Sequence, residues 1–126
     1  MEVFMLSANY TTTYVRTYLD ATAAISKGEA VATGGTATAS DSGDIKGIAA
    51  KDHAIGDEVL LYPVFEVRPV VLGADSVTVG MKLTSDDGKL IQATTAGDVV
   101  VAIALEAGND GDTVNAWLVA PYELGA

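Results

Sequence analysis

The chain of 126 residues contains no cysteine. That removes a disulfide framework, a thiol nucleophile and a thiolate metal site together, and leaves the fold to packing and backbone hydrogen bonds. Positive charge is also scarce: seven Lys and Arg stand against seventeen Asp and Glu, for a net charge of −10. A phosphate backbone is held by clustered basic residues, so nucleic acid is not an expected partner. No uncharged stretch approaches membrane-spanning length, and "MEVFMLSANY" has neither the basic region nor the apolar run of a signal peptide. The chain therefore reads as soluble, made in the cytosol and without a membrane partner.

Groups that could do chemistry are few. The single histidine, His53, lies in "AAKDHAIGDE" with Asp52 and Asp57 nearby. A triad would have to recruit Ser7, Ser26, Ser40, Ser42, Ser76 or Ser85, none of which sits in a Gly-x-Ser-x-Gly elbow. His53 reads as a polar loop residue, and no residue is assigned as catalytic. "TGGTATASDSG" (33–43) is rich in small residues but lacks the Lys-Ser/Thr that would complete a phosphate loop. No cofactor is expected.

What the chain does have is short runs of Val, Ile and Leu punctuated by Gly-Asp and Asp-Gly, dipeptides that supply positive φ and side-chain turn hydrogen bonds. "EVLLYPVFEV" (58–67) is apolar on both faces and predicts a buried strand that Pro63 ends or bends. Residues 77–105 read as strand, Asp87-Gly88 hairpin, strand, Gly97-Asp98 turn, strand; 106–112 is a loop. In 113–119, Val114, Ala116 and Leu118 alternate with Asn115, Trp117 and Val119. A short helix between residues 19 and 26 is an option beside extended structure, since Val15, Leu19 and Thr22 or Ala23 fall near helical spacing in a Thr- and Tyr-rich segment.

The pattern is written twice. Gly28 and Val31 answer Gly80 and Leu83, and Gly43-Asp44 answers Gly97-Asp98. Ile48-Ala49 answers Ile103-Ala104, and Gly56-Asp57 with Val59 answers Gly111-Asp112 with Val114, at offsets growing from 52 to 55. Two such three-stranded units predict an all-β fold, a small β-barrel or sandwich with an extended N-terminal arm. The expected organisation is an arm over 1–22 and a single domain over 23–126, with the repeat at about 28–64 and 80–119.

Charge follows the same division. Residues 1–40 set Arg16 and Lys27 against Glu2, Asp20 and Glu29, a sum of −1, and the remaining −9 falls on residues 41–126. A neutral arm on an acidic body suggests that the arm touches something while the body faces water, although acidic loops also serve plain solubility. Tyr10, Tyr14 and Tyr18 fall four apart in the arm, with Arg16 between them. Aromatics there suit anchoring to another protein surface; the alternative is a terminal strand packed back on its own domain. Of the body aromatics Tyr62, Phe65, Trp117 and Tyr122, two or more read as core.

Two constellations carry a sharper alternative. In "GMKL" (80–83) Lys82 is flanked by apolar residues, as in biotinyl and lipoyl carrier domains, but theirs sits at a hairpin tip and Lys82 is expected in mid-strand. "SDDG" (85–88) and "GNDGD" (108–112) gather oxygens of the kind a calcium ion takes, yet match no EF-hand spacing and read as hairpin turns, so no metal site is assigned.

"AISKGEAVAT", "GIAAKDHAIGDEVLLYPVFEV" and "VGMKLTSDDGKLIQATTAGDVVVAIALEAGNDGDTVNAWLV" together resemble the capsid cement, or head decoration, proteins of tailed bacteriophages over roughly residues 23–119. Ala102 stands where that family often has Gly before Ile-Ala, and "YPVFEVRPVV" lacks a Gly common before the Phe strand. The first twenty residues match no pattern of the family. The resemblance implies a structural, non-enzymatic protein, commonly a homotrimer, that binds the major capsid protein on the outer surface of the assembled head and stabilises the shell against internal DNA pressure. In that family a terminal arm often meets the capsid, and although no functional residue carries over by motif, the arm here, especially Tyr10, Tyr14, Arg16 and Tyr18, is expected to contact capsid subunits and neighbouring protomers. The competing readings are a carrier domain modified at Lys82 and a surface-binding β-module for glycan or host contact that uses Tyr62, Trp117 or Tyr122.

Overall fold

Short apolar runs rich in β-branched residues, each stopped by a turn dipeptide, become strands. The computed structural model describes residues 14–36 and 45–125. Within them the fold is all-β, with nine strands and no helix. In chain order the strands are β1 (Val15–Asp20), β2 (Ala30–Ala32), β3 (Ile45–Ile48), β4 (Glu58–Leu61), β5 (Val67–Val71), β6 (Lys82–Asp86), β7 (Lys89–Gln92), β8 (Val99–Ala104) and β9 (Thr113–Glu123). An antiparallel five-stranded sheet runs in the order β5-β9-β8-β6-β7, and β1 with β4 and β2 with β3 form two antiparallel pairs.

The helix considered for residues 19–26 does not form. Residues 15–20 are strand, with Val15 opposite Leu61, and Ile25 bridges His53. Val15 and Thr17 are β-branched, and the Thr17 hydroxyl donates to the Val59 carbonyl at 2.8 Å, a bond that a helix would forgo. Tertiary pairing decides the segment.

Several backbone bonds of the first unit have counterparts in the second. Ile25 and His53 exchange hydrogen bonds at 3.0 and 2.8 Å, and their counterparts Val77 and Gly108 do so at 3.0 and 3.1 Å. The Gly28 N–H donates to the Ala49 carbonyl as the Gly80 N–H does to that of Ala104, at 2.9 and 2.7 Å. Ala30 pairs with Ile48, and Lys82 with Ile103; Ala49 bridges Leu61, and Ala104 pairs with Ala116. Strands β2-β3-β4 thus correspond to β6-β8-β9.

The Gly-Asp dipeptides build the turns. At 56–57, 97–98 and 111–112 the glycine takes φ of 92°, 95° and 87°, a region costly for any residue with a Cβ. Each following aspartate turns its carboxylate back onto the N–H three residues earlier: Asp57 on Ala54 at 2.8 Å, Asp98 on Thr95 at 3.0 Å and Asp112 on Asn109 at 2.8 Å. Gly43-Asp44 lies outside the described residues.

Burial divides into a large and a small cluster. Leu72, Leu83, Leu90, Val101 and Leu118 belong to the main core, which extends to Ile45, Ile48 and Tyr62 of the first unit. Ala21, Ile25, Val31, Ala49, Val59 and Leu61 form the second cluster on the first unit. Each Val, Leu or Ile removed from water contributes about 1.5–3 kcal/mol, set against the entropy of ordering the chain. On β9, Val114, Ala116 and Leu118 are buried while Asn115 and Trp117 face out, the alternation read from the sequence. β4 ends at Leu61, two residues before Pro63, which has no N–H for the ladder.

Candidate interaction surface

β1 attaches by its backbone to β4 and leaves three long side chains outside. Tyr14 and Arg16 are exposed, and Tyr18 is 77% exposed. The pairing slips between Arg16 and Asp20, and within that irregularity Tyr18 has φ 58°. An aromatic residue in the left-handed region costs about 1–2 kcal/mol, so other contacts must hold it. Glu58 supplies them: its carboxylate accepts Arg16 Nη2 at 2.8 Å and Nε at 3.1 Å, and the Tyr18 N–H at 3.1 Å. The hydrogen bond from Arg16 holds the Glu58 carboxyl below the usual carboxylate range, partial burial opposes that, and the Tyr18 N–H adds to it. The guanidinium also lies 4.5 Å from the centre of the Tyr18 ring. Arg16 is therefore neutralised in place, and the surface offered is an aromatic ring backed by an ion pair. Tyr10 lies outside the described residues.

A second surface was not legible in the sequence. Two or more of Tyr62, Phe65, Trp117 and Tyr122 were expected in the core, but only Tyr62 is buried, at 6% exposure, with Arg68 5.0 Å from its ring centre. Phe65 is 66% exposed and has φ 66°, its N–H donating to the Leu118 carbonyl at 2.7 Å. Trp117 stands on the outer face of the five-stranded sheet, in register with Val67 on one side and Ile103 on the other. Trp117 falls on a strand position opposite the core face, Phe65 lies in the turn between β4 and β5, and Tyr122 lies beyond the register shift near the end of β9, while Val, Leu and Ala fill the core.

The other candidates resolve into structure. His53, read as a polar loop residue, is buried, and its Nε2 accepts the Leu60 N–H at 3.1 Å. It secures the end of one repeat unit. Lys82 opens β6 opposite Ile103, on the exposed side, whereas the hairpin tip is at Asp87 and Gly88, with φ of 54° and 91°. Lys82 is not where a carrier lysine must stand. In "GNDGD" the oxygens serve backbone donors: Asn109 Oδ1 accepts the Ser76 N–H at 3.0 Å and Asp112 Oδ2 that of Asn109. Among the described residues no group of three or more His, Cys, Asp or Glu could hold a metal ion.

Comparison with known proteins bears on this geometry. The sequence profile of the phage cement proteins matches residues 11–119, from the arm to the middle of β9. The chain belongs to the phage cement protein family. Family membership gives it a structural role in the phage capsid and makes it a virion component. Among solved structures, the head fiber gp8.5 N base of bacteriophage phi29 is similar at 21% identity and a TM-score of 0.67, covering 90% of this chain and 100% of the phi29 chain. At that identity the likeness concerns the fold. No curated protein matches the sequence. The family match begins at residue 11, upstream of β1, so Tyr14, Arg16 and Tyr18 lie inside it and Tyr10 just outside.

Proposed function

We propose that this cement protein binds the major capsid protein on the outer surface of the assembled head, as a homotrimer, and holds the shell against the pressure of packaged DNA. In this reading residues 1–22 act as an arm whose last part, β1, is anchored on β4. Residues 23–126 act as a single decoration domain built on the repeat at about 28–64 and 80–119. The observation that carries it is the exposed Tyr14, Arg16 and Tyr18 edge. Tyr18 is kept outward in a costly backbone conformation by the Glu58 clamp, an arrangement that contributes nothing to the core. Strained, exposed aromatics are natural anchors for a partner surface.

The mechanism is linkage. A ligand that binds only the intact lattice stabilises it by RT ln(1 + [L]/Kd), about 2.7 kcal/mol when its concentration is one hundred times Kd. Three arms on one trimer multiply a weak contact through effective concentration if all reach the shell together.

The test is cosedimentation with expanded heads of the parent phage. Replacing Tyr10, Tyr14 and Tyr18 by Ala leaves residues 1–6 in place and β1 on β4, so cooperative unfolding is retained while head binding falls tenfold or more, about 1.4 kcal/mol. Undiminished binding by a folded variant would count against the proposal. A second reading, glycan or host contact through Trp117 and Tyr122, draws on the exposure of those rings. Soluble glycans that leave Trp117 fluorescence unchanged would dispose of it.

A further inference from the structure

A mostly apolar groove of about 240 Å³ opens beside β1, lined among others by Val15, Leu61, Tyr62, Val64, Leu118 and Val119. Among the described residues its single charged lining residue is Lys46, which is exposed. Val15 lies opposite Leu61 in an antiparallel pair, so the chain preceding Val15 lies toward the side on which the chain beyond Leu61 runs to Tyr62 and Val64. The groove is therefore next to the point where the N-terminal segment joins the domain.

That segment has a distinct sequence. Val3, Phe4, Met5 and Leu6 are four consecutive apolar residues, and Glu2 before them is the one charged residue in the first fifteen positions. An apolar run led by a carboxylate complements an apolar groove with a lysine in its lining. Nine positions separate Leu6 from Val15 and twelve separate Val3 from it, and no Gly or Pro occurs before Gly28 to favour reversal of the chain. At about 3.3 Å per residue, such a length reaches roughly 30–40 Å, comparable with or beyond the diameter of a small domain at about 30 Å. The run is long enough to pass the groove of its own copy and enter that of another.

We propose that the groove is the seat of a second copy's Val3–Leu6, with that copy's Glu2 facing Lys46. The contact is head-to-tail: each copy gives an arm to one neighbour and a groove to the other, a relation that closes into a ring when the rotation permits. It needs no capsid: it gives a geometry to the self-association that the capsid reading includes, and uses residues other than Tyr10 to Tyr18, on which the capsid contact draws.

The absence of cysteine makes the test clean. Met5→Cys and Val64→Cys are made in separate proteins, mixed at a concentration where light scattering shows association, oxidised, and resolved on a non-reducing gel. The expected result is a disulfide-linked heterodimer in excess of that formed by Met5→Cys with Val79→Cys, an exposed position outside the groove, and its loss when Phe4→Asp is added to the arm. Val119→Cys serves as the second groove probe if Val64→Cys is poorly folded. No excess over the control overturns the proposal, as does failure of the mixture to associate. A disulfide that forms only within single chains carrying both substitutions overturns it too, and assigns the groove to the same copy's arm. Head binding is measured separately, so failure here is distinguishable from failure of the capsid reading.

Discussion

The Gly-Asp turns offer the sharpest check on how this fold is held, because the same dipeptide is used at three described sites with different burial. Asp57 and Asp112 are exposed, and each carboxylate caps one N–H. Asp98 is buried at 6% exposure, and its Oδ2 accepts two N–H groups, from Thr94 at 3.1 Å and Thr95 at 3.0 Å. A hydrogen bond to a charged group contributes about 1.5–3 kcal/mol and an ordinary one about 0.5–1.5, and exposure to water moves the bonds of Asp57 and Asp112 toward the lower range. Asp57→Ala and Asp112→Ala should therefore cost about 1 kcal/mol each. Asp98→Ala strands two donors that water reaches only in part and should cost about 2–4 kcal/mol. Asp98→Asn keeps an acceptor oxygen but loses the charge, and should fall roughly midway. Equilibrium urea unfolding measures all four, read as shifts in midpoint at constant m-value. If Asp98→Ala cost no more than Asp57→Ala, the assignment of these aspartates as turn caps graded by burial would be refuted.

Three further outcomes follow from particular contacts. Gly35 and Gly56 both have positive φ, but a Cβ on Gly35 would collide with the Asp20 carbonyl oxygen, whereas Gly56 faces open space. Thermal unfolding should show Gly56→Ala costing about 1 kcal/mol and Gly35→Ala at least about twice that. Phe65→Gly relieves about 1–2 kcal/mol of backbone strain and gives up a similar amount through lost burial and a more flexible unfolded chain. Its unfolding midpoint should stay within about 1 kcal/mol of the parent, where a core Phe would cost about 3–5. The Glu58 carboxyl is held below its ordinary range, so the stabilisation it brings to β1 is full above that range and is lost as pH falls through the lowered folded value. Hydrogen exchange of the Tyr18 amide should lose protection on acidification, and Glu58→Gln should abolish that pH dependence; an unchanged acid profile in Glu58→Gln would remove Glu58 as the clamp.

Much of this architecture is local and was legible beforehand. The strands near β4, β6, β7, β8 and β9, the hairpin at Asp87-Gly88 and the stop at Pro63 follow from turn chemistry and apolar runs, which act over a few residues, whereas β5 was not read and the strand expected over 58–67 stops at Leu61. The repeat is legible for the same reason: equivalent turns need equivalent residues, and the matching bonds of Ile25 with His53 and Val77 with Gly108 arise from that equivalence. The resemblance to capsid cement proteins rested on those same segments, and the family match covers them.

The sequence by itself determined an all-β chain, its two similar units, its turns and its acidic, cysteine-free surface, because each depends on composition or on neighbours a few positions apart. Only the tertiary structure decided which turns and strand ends were covered. That left Phe65 and Tyr122 outside and His53 inside, docked residues 15–20 on β4, and set Glu58 beneath Arg16 and Tyr18 from some forty residues away. Those outcomes depend on which surfaces are brought together across the whole chain and on backbone cost carried by distant hydrogen bonds, and neither has a signature within a short window of sequence.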